Sequence, residues 1–199
     1  MALALNKSSL KQQRDQLATY RRFLPSLDLK RQQLLAALKE ARSGLEAAQA
    51  EVERLAESLE SLYPLLGGST IASLDLSKLI RVCAVRVEEE NVVGVQLPAA
   101  RQVECETASY STLATPFWVD YLVENLRRMA ELRVLVEVQR ARVERLDAAS
   151  RRITQRVNLF EKVLIPEAAK NIKRIQVFLS DEERAAVVRS KIAKQKPRR

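Results

Sequence analysis

The residue types that most often perform chemistry are scarce in this chain of 199 residues. It has no histidine, which excludes Ser-His-Asp and Cys-His nucleophile pairs and any histidine-based metal site. Cys83 and Cys105 lack C-x-x-C spacing, so we expect two small buried hydrophobic residues. The four glycines are too scattered to build a phosphate-binding loop. The sequence therefore predicts no catalytic residue, no metal site and no cofactor.

Positive charge is the feature that points to a partner. Lys and Arg number 34 against 25 Asp and Glu, a net charge of +9. Residues 117–199 carry 20 of these basic residues and 11 of the acidic ones. Six basic residues crowd the C-terminal end: Arg189, Lys191, Lys194, Lys196, Arg198 and Arg199. Nucleic acid, an acidic membrane surface, or an acidic or carbonyl-rich protein cavity could each bind such a tail, which could also be simply solvated.

Two of those partners are disfavoured by what surrounds the charge. Acidic residues alternate with the basic ones over most of residues 117–199, and aromatic rings that could stack on bases are not interleaved with them. The basic helix also lacks a strong aromatic anchor for a membrane interface. The N-terminal apolar run is too short for a signal peptide, and no apolar stretch approaches the ~20 residues of a membrane span. We expect a soluble, cytoplasmic protein that has no nucleic-acid partner and does not insert directly into a membrane.

Hydrophobic periodicity predicts the elements that position this charge. In residues 1–62, a 3-4 alternation starting at Leu3 reaches eighteen positions, of which fifteen are apolar. An apolar repeat of seven residues that continues over this length indicates a left-handed coiled coil. Asn6, Gln13 and Arg31 are its polar positions, and Pro25 should bend the helix without breaking it.

Residues 63–116 form an insert of different character. Residues 63–70 contain Pro and paired Gly, which end a helix. Residues 79–87 and 92–97 are rich in β-branched residues and predict a hairpin, with a polar break at 88–91, an end at Pro98 and a possible third extended piece at 101–106.

Residues 117–199 predict the second heptad helix, to about Lys191, and the basic tail. Ten of the thirteen positions from Leu122 to Leu164 are apolar. The stripe then continues at Ala168 with 4-4 spacing, a stutter that coincides with Pro166 and predicts local unwinding. The fold class is therefore mainly α: a long antiparallel two-helix coiled coil, with the hairpin insert at the end opposite the termini.

Three stretches resemble the D subunit, the central rotor shaft, of V-type and A-type ATPases and ATP synthases. Residues 27–34 (LDLKRQQL) are similar to its N-terminal signature, and residues 91–98 (NVVGVQLP) to its central insert. The strongest likeness begins at Arg151 and includes RVN at 156–158, Glu161, Ile165-Pro166, DEER at 181–184 and R-x-K at 189–191. These stretches occur in the family's order along almost the whole chain.

The resemblance implies a non-catalytic subunit that transmits torque. Its partners would be the catalytic A/B hexamer, the small F subunit of the central stalk and a rotor adapter at the membrane end. The complex would hold it on the cytoplasmic face of the membrane. Candidate partner-binding residues are Arg156, Asn158, Glu161, Arg189, Lys191, Lys194, Asn91 and Gly94.

Simpler interpretations of these residues stay open. Arg156, Asn158 and Glu161 could merely solvate a helix, while Asn91 and Gly94 could serve turn and bulge geometry. Trp118 is expected to anchor the insert against the second helix. The first alternative function is a coiled-coil interaction scaffold, such as an export-ATPase stalk protein, although those proteins lack a folded insert of this length. The second is a nucleic-acid-binding coiled coil.

Overall fold

The computed structural model describes residues 4–60, 62, 64, 79–110, 116 and 118–195. Helix α1 spans Lys7–Glu60, strand β1 Ile80–Val92 and strand β2 Val95–Thr107. Helix α2 covers Trp118–Leu159, a π-helical turn covers Phe160–Leu164, and helix α3 covers Ile165–Gln195. The predicted stop signal at residues 63–70 lies almost wholly outside the described residues.

Local chemistry explains where the helices begin and how they continue. Asn6 caps α1, since its Oδ1 accepts a hydrogen bond of 2.7 Å from the Ser9 amide. The carbonyl of Pro116 accepts a 3.0 Å bond from the Val119 amide at the start of α2. Helix α1 continues through Pro25 without interruption, as predicted.

The predicted heptad positions are confirmed by burial. In α1, every such position from Leu10 to Leu59 is buried or half-buried, whereas Asn6 is exposed. The same holds for the positions from Leu122 to Leu164 and for the shifted stripe after the stutter, with Leu146 and Ile175 fully enclosed. The low aromatic content is therefore sufficient, because the stripes supply the buried apolar surface.

The stutter coincides with the π-helical turn. The Ile165 amide bonds to the Phe160 carbonyl five residues back, so the helix is locally wider than an α-helix. Pro166, directly after the turn, has no amide hydrogen to continue the α-helical ladder. The predicted local unwinding is thus confirmed, and its form is one π turn.

Contacts divide the chain into two units, residues 1–32 with 151–199 and residues 33–150. In the first unit α1 runs antiparallel to the C-terminal helical segment, since Lys7 lies near Glu183 and Tyr20 near Phe160. In the second unit α1 runs antiparallel to α2. Arg42 donates to Asp147 at 3.3 Å, and a Cβ on Gly44 would lie 3.6 Å from Gln139.

The described part of the insert, residues 79–110, forms an antiparallel hairpin, and both strands are longer than predicted. The predicted break at residues 88–91 lies inside β1, because acidic side chains on an exposed strand meet water. Pro98 lies inside β2 and does not end it. The predicted third piece is the continuation of β2. Extra residues at Cys83 and Arg101 form two bulges in the ladder.

Candidate partner-binding surfaces

The predicted residues near the π turn lie beside the buried stripe. Arg156 and Glu161 are exposed and Asn158 is half-buried, next to the enclosed Ile153 and Val157. Among the described residues no hydrogen bond or ion pair holds the side chain of Arg156, Asn158 or Glu161. Their polar atoms are therefore available to another molecule, which fits both the partner-binding and the solvated interpretations.

The basic residues at the C-terminal end lie beyond the start of α1. Lys7, the first residue of α1, places its Nζ 3.8 Å from Glu183, and α3 continues to Gln195. Residues 186–195 are all exposed, including Arg189, Lys191 and Lys194. These three cations form the described part of the tail, while Lys196, Arg198 and Arg199 lie outside the described residues. The surface suits an acidic or carbonyl-rich partner.

Asn91 and Gly94 build the hairpin turn. The backbone is left-handed at Val93 (φ 54°) and Gly94 (φ 79°), the conformation of a two-residue hairpin loop. The Asn91 Oδ1 accepts a 2.8 Å hydrogen bond from the Gly94 amide. The predicted turn role is confirmed, and the bulges lie elsewhere in the ladder.

Two arginines that the sequence analysis missed hold the hairpin tip on α2. Arg142 donates to Glu90 Oε2 and to the Pro98 carbonyl, all at 3.1 Å. Arg145 donates to the Gln96 carbonyl at 3.0 Å. Leu97 is only 1% exposed at this junction. Nothing in the local sequence marks these pairings, because they join residues 44 to 52 positions apart.

The other end of the insert packs on the start of α2. Trp118, Val119 and Leu122 form a buried cluster with the half-buried Leu62 and Tyr110. The predicted anchoring role of Trp118 is therefore confirmed. The Tyr110 hydroxyl donates a 2.7 Å hydrogen bond to Asp120, and this bond raises the pKa of the phenol.

The cysteines correct one expectation. Cys83 is exposed and Cys105 half-buried, and both are free thiols, so they are not two buried hydrophobic residues. Cys83 lies outside the core because residues 81–90 of β1 are all exposed, and it is the extra residue of the β1 bulge. Its Sγ donates to Glu106 Oε2 at 3.4 Å, and this bond raises the pKa of the thiol.

The polar residues Gln13 and Arg31 on the stripe of α1 pair with polar residues beside the stripe. Gln13 donates to Gln16 at 3.0 Å and accepts a bond of 3.5 Å from Asn171. They line a cavity of about 190 Å³ that also borders Tyr20 and Leu164. Arg31, another predicted polar position, forms an ion pair with Asp28. Such polar positions favour one register over others.

Two absences among the described residues bear on site chemistry. No helix among them is long and apolar enough to cross a bilayer. Nor do those residues contain three or more His, Cys, Asp or Glu side chains grouped to hold a metal ion.

Two long helical segments, a heptad stripe and a hairpin insert define a mainly α-helical protein with exposed polar and basic surfaces. Residues 9–195 match the model of the family described as the D subunit of ATP synthase. The chain is 35% identical over 192 residues to the V-type ATP synthase D subunit of Borreliella burgdorferi, covering 96% of this chain and 93% of that protein. It is 34% identical over 194 residues to the protein of that name from Chlamydia pneumoniae, covering 96% and 91%. The chain therefore belongs to the ATP synthase D-subunit family.

Proposed function

We propose that this chain is the central-stalk subunit, the rotor shaft, of a V/A-type rotary ATPase or ATP synthase. It transmits torque between the catalytic A/B hexamer and the membrane rotor, with the small F subunit and a rotor adapter as its other partners. It has no active site of its own and lies on the cytoplasmic side of the membrane. The observation that carries the proposal is the buried heptad stripe along two antiparallel helical segments in a member of this family.

The physics of a shaft supports this function. A torque-bearing element must resist bending and twisting, and packed helices with few glycines do so better than loops. The 54-residue α1 continues through Pro25, and its stripe is buried or half-buried from Leu10 to Leu59. In a coiled coil the side chains of such a stripe interlock with the opposite helix, which resists sliding of one helix past the other.

The outer surface suits a partner that is engaged repeatedly. Arg127–Glu131 and Arg140–Glu137 are exposed ion pairs of 3.3 and 2.8 Å. Exposed pairs of this kind contribute about 0–1 kcal/mol each, so water and passing charges replace them at low cost. A shaft that turns inside a hexamer needs contacts of this strength, because strong contacts would hold it at one angle.

The C-terminal cations provide the test. A chain that ends after Val188 loses the exposed end of α3 but keeps Glu183 and the buried stripe. We expect it to fold with unchanged helicity by circular dichroism and to assemble less well into the purified complex, with weaker coupling of ATP hydrolysis to ion transport. Full assembly and full torque would contradict the proposal.

A variant with neutral side chains separates the effect of losing the end of the chain from the effect of losing its positive charges. Arg189→Gln, Lys191→Gln and Lys194→Gln together should reproduce much of the loss. The matched control, Lys30→Gln with Lys39→Gln and Arg133→Gln, removes three exposed cations elsewhere and should couple normally. Equal losses in both variants would indicate that net charge matters and that the tail has no specific contact.

A further inference from the structure

Three large apolar side chains are exposed around the ring contact between Tyr20 and Phe160. Phe23 of α1 is one helical turn from Tyr20, and Leu159 and Val163 lie one and three residues from Phe160. They are 53%, 46% and 47% exposed, in that order, and all lie in the same unit of the chain. None of them belongs to the buried stripe, so the packing of the two helices does not account for them. Exposed apolar side chains that lie together often mark a contact with another molecule.

The cavity beside the π turn shows that the three side chains lie on one side of the helix pair. Gln16 of α1 and Glu167 of α3 both border this cavity. Phe23 follows Gln16 by seven residues, which is almost two full turns, so the two lie on the same side of α1. Leu159 and Val163 precede Glu167 by eight and four residues, and a row of residues four apart follows one side of a helix. We call Phe23, Leu159 and Val163 the Phe23 patch.

Two basic side chains without partners lie at one end of the Phe23 patch. Lys30 follows Phe23 by seven residues on α1, and Arg156 precedes Leu159 by three residues on α2. Both are exposed, and among the described residues no hydrogen bond or ion pair holds either side chain. Glu167, which is also exposed, lies at the opposite end. The patch therefore combines an apolar surface with positive charge at one end and a carboxylate at the other.

The opposite flank of the buried stripe is polar at this level of the pair. Helical rotation of about 100° per residue takes Asn158 and Glu161 to that flank, away from Arg156. On α1, Arg14 borders a groove of that flank, and Arg21 follows Arg14 by seven residues. The three residues near the π turn that the sequence analysis grouped therefore do not form one surface, and only Arg156 lies beside the Phe23 patch.

A third helix fits a surface of this shape. A helix with a single neighbour buries about two positions in seven, whereas a helix that faces a core buries about three, and the third lies on one flank. Phe23 and Val163 supply that third apolar position on both helices of the pair. We propose that the Phe23 patch binds an amphipathic helix of a partner protein, with acidic residues of that helix beside Lys30 and Arg156. This inference goes beyond the proposed function, since it holds for whichever complex contains the chain.

Charge favours a protein with acidic residues over a second copy of this chain. The unit that contains the patch has 21 basic and 7 acidic residues, so two such units repel each other. Lipid and nucleic acid are acidic as well, but neither fits the apolar row. A helix on a membrane surface keeps its apolar face over several turns, and this row ends after one turn at Glu167. A phosphate backbone contacts cations and gains little from three exposed apolar side chains.

Photo-cross-linking tests the inference in the complex that is purified through a tag on this chain. The photoreactive residue p-benzoylphenylalanine replaces Phe23 in one variant and Leu29 in the control, because Leu29 is an exposed apolar residue on a different side of α1. We expect the Phe23 variant to cross-link to a helix of another protein that has acidic residues within one turn of the linked position. The Leu29 control should not give this product.

A charge reversal tests the acidic residues of the partner helix. Added to the Phe23 cross-linking variant, Arg156→Glu should lower the yield of this product at least about fivefold at low salt, because like charges then meet. Lysine in place of the nearest acidic residue of the partner should restore the yield. Arg14→Glu reverses an exposed charge on the opposite flank and should leave the yield unchanged. Circular dichroism should show the same helicity for both variants.

Several results would overturn the inference. The absence of any protein product from the Phe23 variant would leave the patch without this role. Products with a second copy of the chain, with lipid or with nucleic acid would assign the patch to those molecules instead. A protein product without nearby acidic residues, or one whose yield Arg156→Glu does not lower, would contradict the acidic helix. Failure of the chain to co-purify with a catalytic hexamer counts against the proposed function, and the products from the Phe23 variant would still decide this inference.

Discussion

The ring of Tyr20 meets the ring of Phe160 edge to face, with centroids 5.4 Å apart and planes at 79°. Phe160 is the first residue of the π turn, so this contact fixes α1 against the point where the opposite helix unwinds. The polar pair Gln13–Asn171 lies seven residues away along α1 and eleven along the other segment. Eleven residues are one heptad of seven plus four more, and four extra residues are a stutter in the repeat. The helix therefore needs an irregular turn at this point.

The aromatic pair should contribute measurable coupling to stability. We expect Tyr20→Leu and Phe160→Leu each to lower the free energy of unfolding, and a double-mutant cycle to give a coupling of about 0.5–1.5 kcal/mol. Urea denaturation followed by circular dichroism measures all four proteins. A coupling of zero would mean that the rings touch without stabilising the turn.

The π turn and Pro166 give a prediction about function. On the proposed function, we expect Pro166→Ala to change the ATP hydrolysis rate and the torque of the reconstituted complex, because the proline helps to maintain a fixed irregularity that would make the contacts of the shaft with the catalytic head asymmetric. Pro25→Ala is the matched control, since Pro25 is an exposed proline within an uninterrupted helix. Single-molecule rotation measures both variants, and unchanged torque in Pro166→Ala would refute the idea.

The hairpin turn predicts a stabilising substitution. Val93 is β-branched and has a φ of 54°, a conformation that costs an ordinary residue roughly 1–2 kcal/mol. Val93→Gly removes this strain, and we expect about 1 kcal/mol of added stability after the greater entropy of the unfolded glycine is deducted. Asn91→Ala should destabilise the turn, because it deletes the bond to the Gly94 amide. Thermal unfolding of the full chain checks both signs.

The Cys83 thiol should be less reactive than its exposure suggests. Its hydrogen bond to Glu106 raises its pKa, so a smaller fraction is thiolate at pH 8 than for an ordinary cysteine with a pKa of about 8.5. In a Cys105→Ser background, the pH midpoint of iodoacetamide alkylation should therefore lie above that value. Glu106→Gln should lower the midpoint and speed alkylation at pH 8. An unchanged midpoint would show that the carboxylate has no influence on the thiol.

Sequence periodicity determined the helical part of this protein. The 3-4 spacing identifies which residues are buried, and the 4-4 step at Ala168 locates the unwound turn to within a few residues. Helical side-chain positions depend on neighbours three and four residues away, so the sequence itself contains that information. Trp118 was predictable as an anchor from its position, because it is a large apolar residue that begins a helix directly after the insert.

Only the tertiary structure decided how far the strands of the hairpin extend and how they pair. The sequence pattern divided it into short strands, because three consecutive glutamates and Pro98 are unfavourable in most strands, yet both lie within the ladder. The residues next to positions 83 and 101 in the sequence do not predict the bulges, and those next to Arg142 do not predict its contacts. They depend on which residues meet across a ladder or between a strand and a helix, and that pairing is set by packing over tens of residues.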